Sequence, residues 1–417
     1  MEITLNRAED AARQNGNGHE AAIGAGRTRS VGFDLSSRIN SVVAVARVNA
    51  DAVDREARFP EEAFAAAREH RLLGMMVPIA FGGEGASVSD AVDVCYTLAR
   101  ACASTAMIFA MHQIMVAILV RHGQSSPWHL ELQRRLAEEQ LLFASSTTDG
   151  EGGGDLRASS CAVETDGSRI SLTKSATVMS YGAYADAVLT TARRAIDAAP
   201  SDQVIVAFTK DRCELEPIRA WDTLGMRGTC SAGFTLKGRG VVEQVLPEHF
   251  QNIQSRTMMP VAHLTWSAVW CGIAAEAVER ARRCLRAASR RTPGGQPPTG
   301  VSHLTRAIMS LAVLTSALKS ALQNFESSSA ADGEVDSLDS QNAMNLLKVT
   351  ASEMATSIVV GAMQAGGLYG YRNDGEFSVS RHLRDVLSSS IMINNDRILA
   401  NSGAASFLAN IPASLRS

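Results

Sequence analysis

Four glycines fall within five positions of the stretch Ser145-Ser-Thr-Thr-Asp-Gly-Glu-Gly-Gly-Gly-Asp155, at Gly150, Gly152, Gly153 and Gly154. Ordering each one is harder than ordering an alanine by about 0.5–1 kcal/mol. A folded chain accepts that where backbone must take positive φ or approach another group closely. Successive N–H groups in such a loop form a concave nest for an anion, typically a phosphate. A flexible surface loop is the alternative. The flanks constrain the choice. Leu141-Leu-Phe-Ala144 is a short apolar strand candidate, and Arg169-Ile-Ser-Leu172 and Ala187-Val-Leu-Thr-Thr191 alternate with period two behind the turn Asp166-Gly167. The loop is thus expected to leave one strand of an antiparallel region and re-enter another. That excludes the strand–loop–helix setting of a dinucleotide fingerprint or a P-loop.

On either side the text is helical. Residues up to about Arg29 have a composition that favours disorder. Ser41 to Asp54, Pro60 to His70, Ser89 to Arg100, Ser104 to Arg121 and Trp128 to Gln140 read as helices, with Pro60 placed at a helix start. Val204-Ile-Val-Ala-Phe208 and Gly233-Phe-Thr-Leu236 add strands to the middle region. Beyond Pro247, Leu264, Ala268, Cys271, Ala275 and Val278 form one apolar helical stripe. His303 to Glu326, Ser340 to Ala365 and a last helix from near Arg381 towards Ala409 complete a set of four that packs naturally as a bundle. The expected class is α+β, mostly α. It comprises a tail over 1–30, an N-terminal helical domain over 31–142, a β-barrel-like domain over 143–247 and a C-terminal four-helix bundle over 248–417.

Three segments resemble the acyl-CoA dehydrogenase family. Thr148-Asp-Gly-Glu-Gly-Gly-Gly-Asp155 is similar to its Thr-Glu-Pro-x-Ala-Gly-Ser-Asp loop, and Leu224-Gly-Met-Arg-Gly-Thr-Cys-Ser231 to its Leu-Gly-x-Arg-x-Thr-x-Ser segment. Gln364-Ala-Gly-Gly-Leu-Tyr-Gly-Tyr371, followed by Arg384-Asp385, resembles its Gln-x-x-Gly-Gly-x-Gly and Arg-Asp pair. The resemblance implies FAD between the β domain and the last helices. Ser145, Thr147 and Thr148 would meet the ring, Gly153 and Gly154 the diphosphate, and the strand Ala176 to Ser180 the ring's other side through Thr177 and Met179. Arg291, Gln364, Gly366 and Gly367 would reach a flavin in another subunit, which implies a homotetramer, or at least a dimer. Ala106, Met107 and Ala110 would line an acyl pocket, with His112 beside them. On spacing alone Met107, Met111 and Met115 are core filler and His112 a satisfied core histidine.

The family's chemistry removes an α-proton while the flavin takes hydride from the β-carbon, and so needs a desolvated carboxylate beside that carbon. Nine residues beyond Arg384, where the family usually carries glutamate, stands Ile393. No Asp or Glu lies between Glu248 and Glu276, where other members place the base. Asp396 and His263 are the substitutes within reach of these positions. The first expectation is an FAD-dependent oxidoreductase acting on an acyl thioester of CoA or a carrier protein, with an electron-acceptor flavoprotein or oxygen. A monooxygenase using reduced FMN or FAD supplied in trans is the alternative, and a redox-neutral flavin-binding homologue a third.

Composition narrows the partners. With 40 basic and 43 acidic residues evenly mixed, nothing favours nucleic acid or an anionic membrane. Seven scattered cysteines without a C-x-x-C pair argue against zinc and disulfides and suit a reduced cytoplasm. The apolar run Ala106 to Val120, interrupted by His112 and Gln113, reads as too short to cross a bilayer.

Overall fold

The computed structural model describes residues 31–148, 156, 158–290, 298–330 and 337–407. The 1–30 tail, most of the glycine loop with Gly153 and Gly154, and Arg291 lie outside them. Five helices come first: α1 (Val31–Glu56), α2 (Glu61–Glu69), α3 (Val88–Ala99), α4 (Ala103–His122) and α5 (Pro127–Glu139). Ser87 opens α3 with a reciprocal capping box to Asp90. Helix α4 is apolar all round because it is buried all round, between its helical neighbours and the first strand. At 20 residues it is long enough to span a bilayer, so the length argument from sequence fails; 89% of its apolar window is instead buried inside the fold.

The middle region folds into two sheets. In the first, β1 (Phe143–Ser146) pairs in parallel with β4 (Ala187–Arg193), and β4 pairs antiparallel with β5 (Gln203–Thr209). The second is antiparallel, in the order β2 (Glu164–Asp166), β3 (Arg169–Ala176), β7 (Gly233–Val241), β6 (Cys213–Arg219). Gly167 takes φ 60° in the β2–β3 turn, as the Asp-Gly pair suggests. Two strand expectations are corrected. The strand before the glycine loop pairs in parallel rather than within an antiparallel region. The span Ala176 to Ser180 is not a strand, since β3 stops at Ala176 and the chain turns so that Met179 N–H donates to the Ala232 carbonyl.

The remaining helices are α6 (Phe250–Ile253), α7 (Met259–Ser289), α8 (Val301–Ala330), α9 (Leu338–Tyr371), α10 (Ser380–Val386) and α11 (Asn395–Ser406). A π-helical turn, Gln254–Met258, leads into α7. His122 reaches into it, with Nε2 2.8 Å from Thr257 Oγ1 and Nδ1 against Glu248. α7, α8 and α9 pack on one another. The expected continuous fourth helix is broken into α10, a 3₁₀ turn (Leu387–Ser390) and α11. Between the 3₁₀ turn and α11, Ile393 adopts φ 45°, a left-handed conformation rare for a β-branched residue, so no helix runs through it.

Candidate functional site

Two buried lysines fix the two walls that sequence motifs assign to a site. The first lies under β1. Lys174 is 1% exposed, and its Nζ donates to the Ser146 carbonyl (3.0 Å), the Thr191 carbonyl (2.8 Å) and Thr191 Oγ1 (2.9 Å). Thr190 Oγ1 donates to the same Ser146 carbonyl at 2.9 Å. The strand end is thereby held where the glycine loop begins. Ser145, Thr147 and Thr148 emerge from it half-buried, with the Ser145 and Thr147 hydroxyls 3.4 Å apart. Ser146 Oγ is buried without a hydrogen-bond partner. The sequence carried a signal for Lys174 that motif reading missed: it is the one charged side chain in the alternating buried row Ile170, Leu172, Lys174, Ala176. Thr177 is half-buried beyond the strand end. Met179 is a correction, because its side chain is fully buried against Gly182 and offers nothing to a cleft.

The second wall is the seam between α7 and α9. His263 Nδ1 lies 3.1 Å from the Met344 carbonyl. A carbonyl only accepts, so Nδ1 carries the hydrogen and Nε2 keeps a lone pair. That Nε2 is buried with no partner, and burial lowers the imidazole pKa to about 4. Ser267 Oγ and the indole N–H groups of Trp266 and Trp270 are likewise buried and unpaired along α7. One turn beyond Met344, Lys348 is completely buried and donates to the carbonyls of Ser389 (3.0 Å) and Ile393 (2.7 Å) and to Asn395 Oδ1 (2.6 Å). Its ammonium stands 5.6 Å from the Trp270 ring centroid. Burial lowers its pKa to about 8. Asn395 is oriented in turn by donating to Ser352 Oγ at 2.9 Å. Lys348 was also missed, though it occupies the buried register of Met344, Ala351 and Ala355.

Ile393 is therefore clamped by its own carbonyl, half-buried, at the position where an acid was sought. Asp396 is a correction: it is exposed to water in the first turn of α11. It lacks the desolvation that a base for a weakly acidic C–H requires. His112 is a second correction to the pocket. The Phe143 N–H donates to its Nδ1 at 3.0 Å, and its Nε2–H donates to the Leu73 carbonyl at 2.9 Å. Both nitrogens are used by backbone, and burial lowers its pKa to about 4. Ala106, Met107 and Ala110 are at most 1% exposed and pack as core. Near the end of α9, Gln364 is exposed and Gly366 buried, and the break falls on Gly367 (φ 55°, ψ −136°).

The other two motifs form a buckle rather than a binding surface. Arg384 makes a two-pronged pair with Asp54 on α1 and donates to the Leu224 carbonyl at 3.2 Å. Asp385 accepts from the Met226 N–H at 2.7 Å. Arg227 Nε donates to the Asp54 carbonyl at 2.8 Å. The Leu224–Ser231 segment, α1 and α10 are thus tied at one point. Beside the buckle opens a concavity of about 490 Å³. A groove of about 1060 Å³ runs between α5 and the β2–β3 hairpin, where Arg135 and Arg212 are matched by Glu139 and Asp211.

Comparison with known proteins matches this architecture. The model of the acyl-CoA dehydrogenase N-terminal domain matches residues 41–126, and that of the C-terminal domain residues 257–407. Cyclohex-1-ene-1-carbonyl-CoA dehydrogenase of Geobacter metallireducens is 24% identical over 358 residues, covering 83% of this chain and 89% of that one. The FMN-bound structure of TdsC from Paenibacillus sp. A11-2, a dibenzothiophene monooxygenase, superposes with TM-score 0.79 at 18% identity, over 92% of this chain and all of the other. Butyryl-CoA dehydrogenase of Megasphaera elsdenii gives TM-score 0.73 at 16% identity, over 90% and 99% of the two chains. The two family models together span more than half of the sequence, and the chain belongs to the acyl-CoA dehydrogenase family.

Proposed function

We propose that the protein is a flavin-dependent oxidoreductase of the monooxygenase kind, taking reduced FMN or FAD from a separate reductase and using oxygen. The observation that carries this reading is Ile393. The position that would hold the α-proton base is aliphatic and clamped through its main chain, while Asp396, the nearest carboxylate along the chain, is in water. Oxygen insertion needs no base at that carbon, whereas desaturation of an acyl thioester does.

The residues present suit a flavin. The unpartnered Ser146 Oγ and the hydroxyls of Ser145, Thr147 and Thr148 supply hydrogen-bonding groups at a strand end that Lys174 makes rigid. The break at Gly367 leaves backbone open with no atom near its missing Cβ. It would meet the cofactor of a second copy, within a homotetramer. Bound flavin supplies the two-electron chemistry. The α7–α9 seam, with its unpaired polar atoms in an apolar wall, would orient the substrate and exclude bulk water.

An acyl-thioester dehydrogenase is the second reading, favoured by the free lone pair on His263 Nε2. Anaerobic titration separates the two. Under the first reading the protein binds reduced flavin more tightly than oxidised flavin, and acyl-CoAs leave the flavin colour intact. Bleaching by an acyl-CoA without oxygen, abolished by His263→Gln, would replace it with the second.

A further inference from the structure

Where α1, α3, α7 and α10 meet, one buried carboxylate is shared by four guanidinium groups. Glu276 lies 3.4 Å from Arg47, 3.9 Å from Arg100, 3.5 Å from Arg280 and 3.9 Å from Arg283. Arg381 adds a fifth cation, and its partner Asp51, at 3.2 Å, has a side chain 83% exposed. Five positive charges thus face two negative ones. Arg280 and Arg381 are the two of these five that also line the concavity beside the buckle. Arg280 Nη1 donates to the Ser378 carbonyl at 3.0 Å, and its buried Nε faces Glu276 at 3.5 Å without completing a hydrogen bond. His382, 3% exposed, also has an unpaired Nδ1, and burial, reinforced by the nearby Arg381, Arg280 and Arg47, lowers its pKa well below the ordinary value.

The concavity of about 490 Å³ opens directly over Arg280 and Arg381, with Arg55, Arg227 and Arg384 also lining it. Three carboxylates share this wall with the five guanidinium groups, each already paired: Asp51 with Arg381 at 3.2 Å, Asp54 with both prongs of Arg384, and Asp374 with both prongs of Arg372. Ser380 and the turn at Gly375, with φ 91°, complete its wall. A concave, partly desolvated site with surplus guanidinium groups attracts an anion that can accept several N–H bonds at once. Phosphate oxygens fit the planar fork of arginine better than a monoatomic ion does.

We propose that this pocket binds a phosphate dianion, either inorganic phosphate or the terminal phosphate of a monoester, at a site separate from the residues assigned to flavin. The assignment is independent of which redox reaction the protein performs.

The test is calorimetric titration of the full chain with inorganic phosphate and, separately, with AMP, at ionic strength held constant with chloride. One saturable site per chain is expected, tighter for AMP if the natural ligand is an ester and equal for both if it is the free ion. Arg280→Gln should weaken binding by about tenfold or more, the loss of a charge-assisted pair of bonds. Arg55→Gln, at a 72% exposed side chain that pairs with its neighbour Glu56, leaves the fold intact and should weaken binding several-fold. No saturable binding up to about 10 mM, or equal affinity in wild type and both variants, overturns the proposal.

Discussion

Lys348 keeps its ammonium from water with three oxygen acceptors, none of them a carboxylate. Burial favours the neutral amine, so the folded pKa falls to about 8 from an ordinary 10.5. Between those values the unfolded chain binds more protons, and stability must rise with pH. Urea titrations from pH 8 to 10 should show the wild type gaining up to about 1.4 kcal/mol per pH unit, a slope absent from Lys348→Met. An equal slope in both would contradict the burial. The histidines act in the same sense at lower pH. His112 and His263 are lowered to about 4, so each contributes stability above its ordinary value near 6.5 that is lost as pH falls towards 4. Each should give roughly 1.4 kcal/mol per pH unit in that window. His112→Leu should destabilise by about 1–3 kcal/mol, because it strands the Phe143 N–H, while the Leu73 carbonyl keeps its bond from Gln113 at 3.3 Å. Oxidised-flavin affinity should be nearly unchanged in that variant.

Among the elements, the close approaches of backbone to backbone are the sharpest constraints. A Cβ on Gly225 would fall on the Arg384 carbonyl, where neither chain can yield. Gly225→Ala should therefore cost about 2–4 kcal/mol and open the buckle, read as a lower denaturation midpoint with amide exchange rising first in α10. Much of this level was legible in the sequence. The helix and strand spans follow from periodicity, and the Asp166-Gly167 turn and the break after Ala365 follow from glycine chemistry. What escaped was tertiary. The parallel partner of Phe143–Ser146 is set by a strand some 40 residues away, and period-two alternation does not report pairing direction. The interruption at Ile393 was hidden because Ile is a tolerable helix residue, and only the turn around Lys348 forces it to φ 45°. Both lysines broke an apolar pattern at a single position, which reads as noise until their acceptors are seen.

At the scale of the whole molecule, the described helices leave apolar surface unpartnered. Helix α8 buries only 17% of its most apolar window, and Met309 and Val313 are 64% and 59% exposed. Leu368, Tyr369 and Tyr371 stand out beside the Gly367 break. Surface of this kind is covered in stable proteins. Light scattering should give a mass near four times the 44.3 kDa chain, and Met309→Glu with Val313→Glu should reduce it. A monomer of wild-type mass, or retention only in detergent, would refute that assembly. The clamp on the last turn also bears on how such a fold changes occupation. The lysine grips carbonyls, so the framework does not care which side chain projects from residue 393. Ile393→Glu relieves a β-branched residue from an unfavourable dihedral, and it should melt within a few degrees of the parent. A scaffold anchored in this way can trade one reaction for another by a single codon, without first having to be rebuilt.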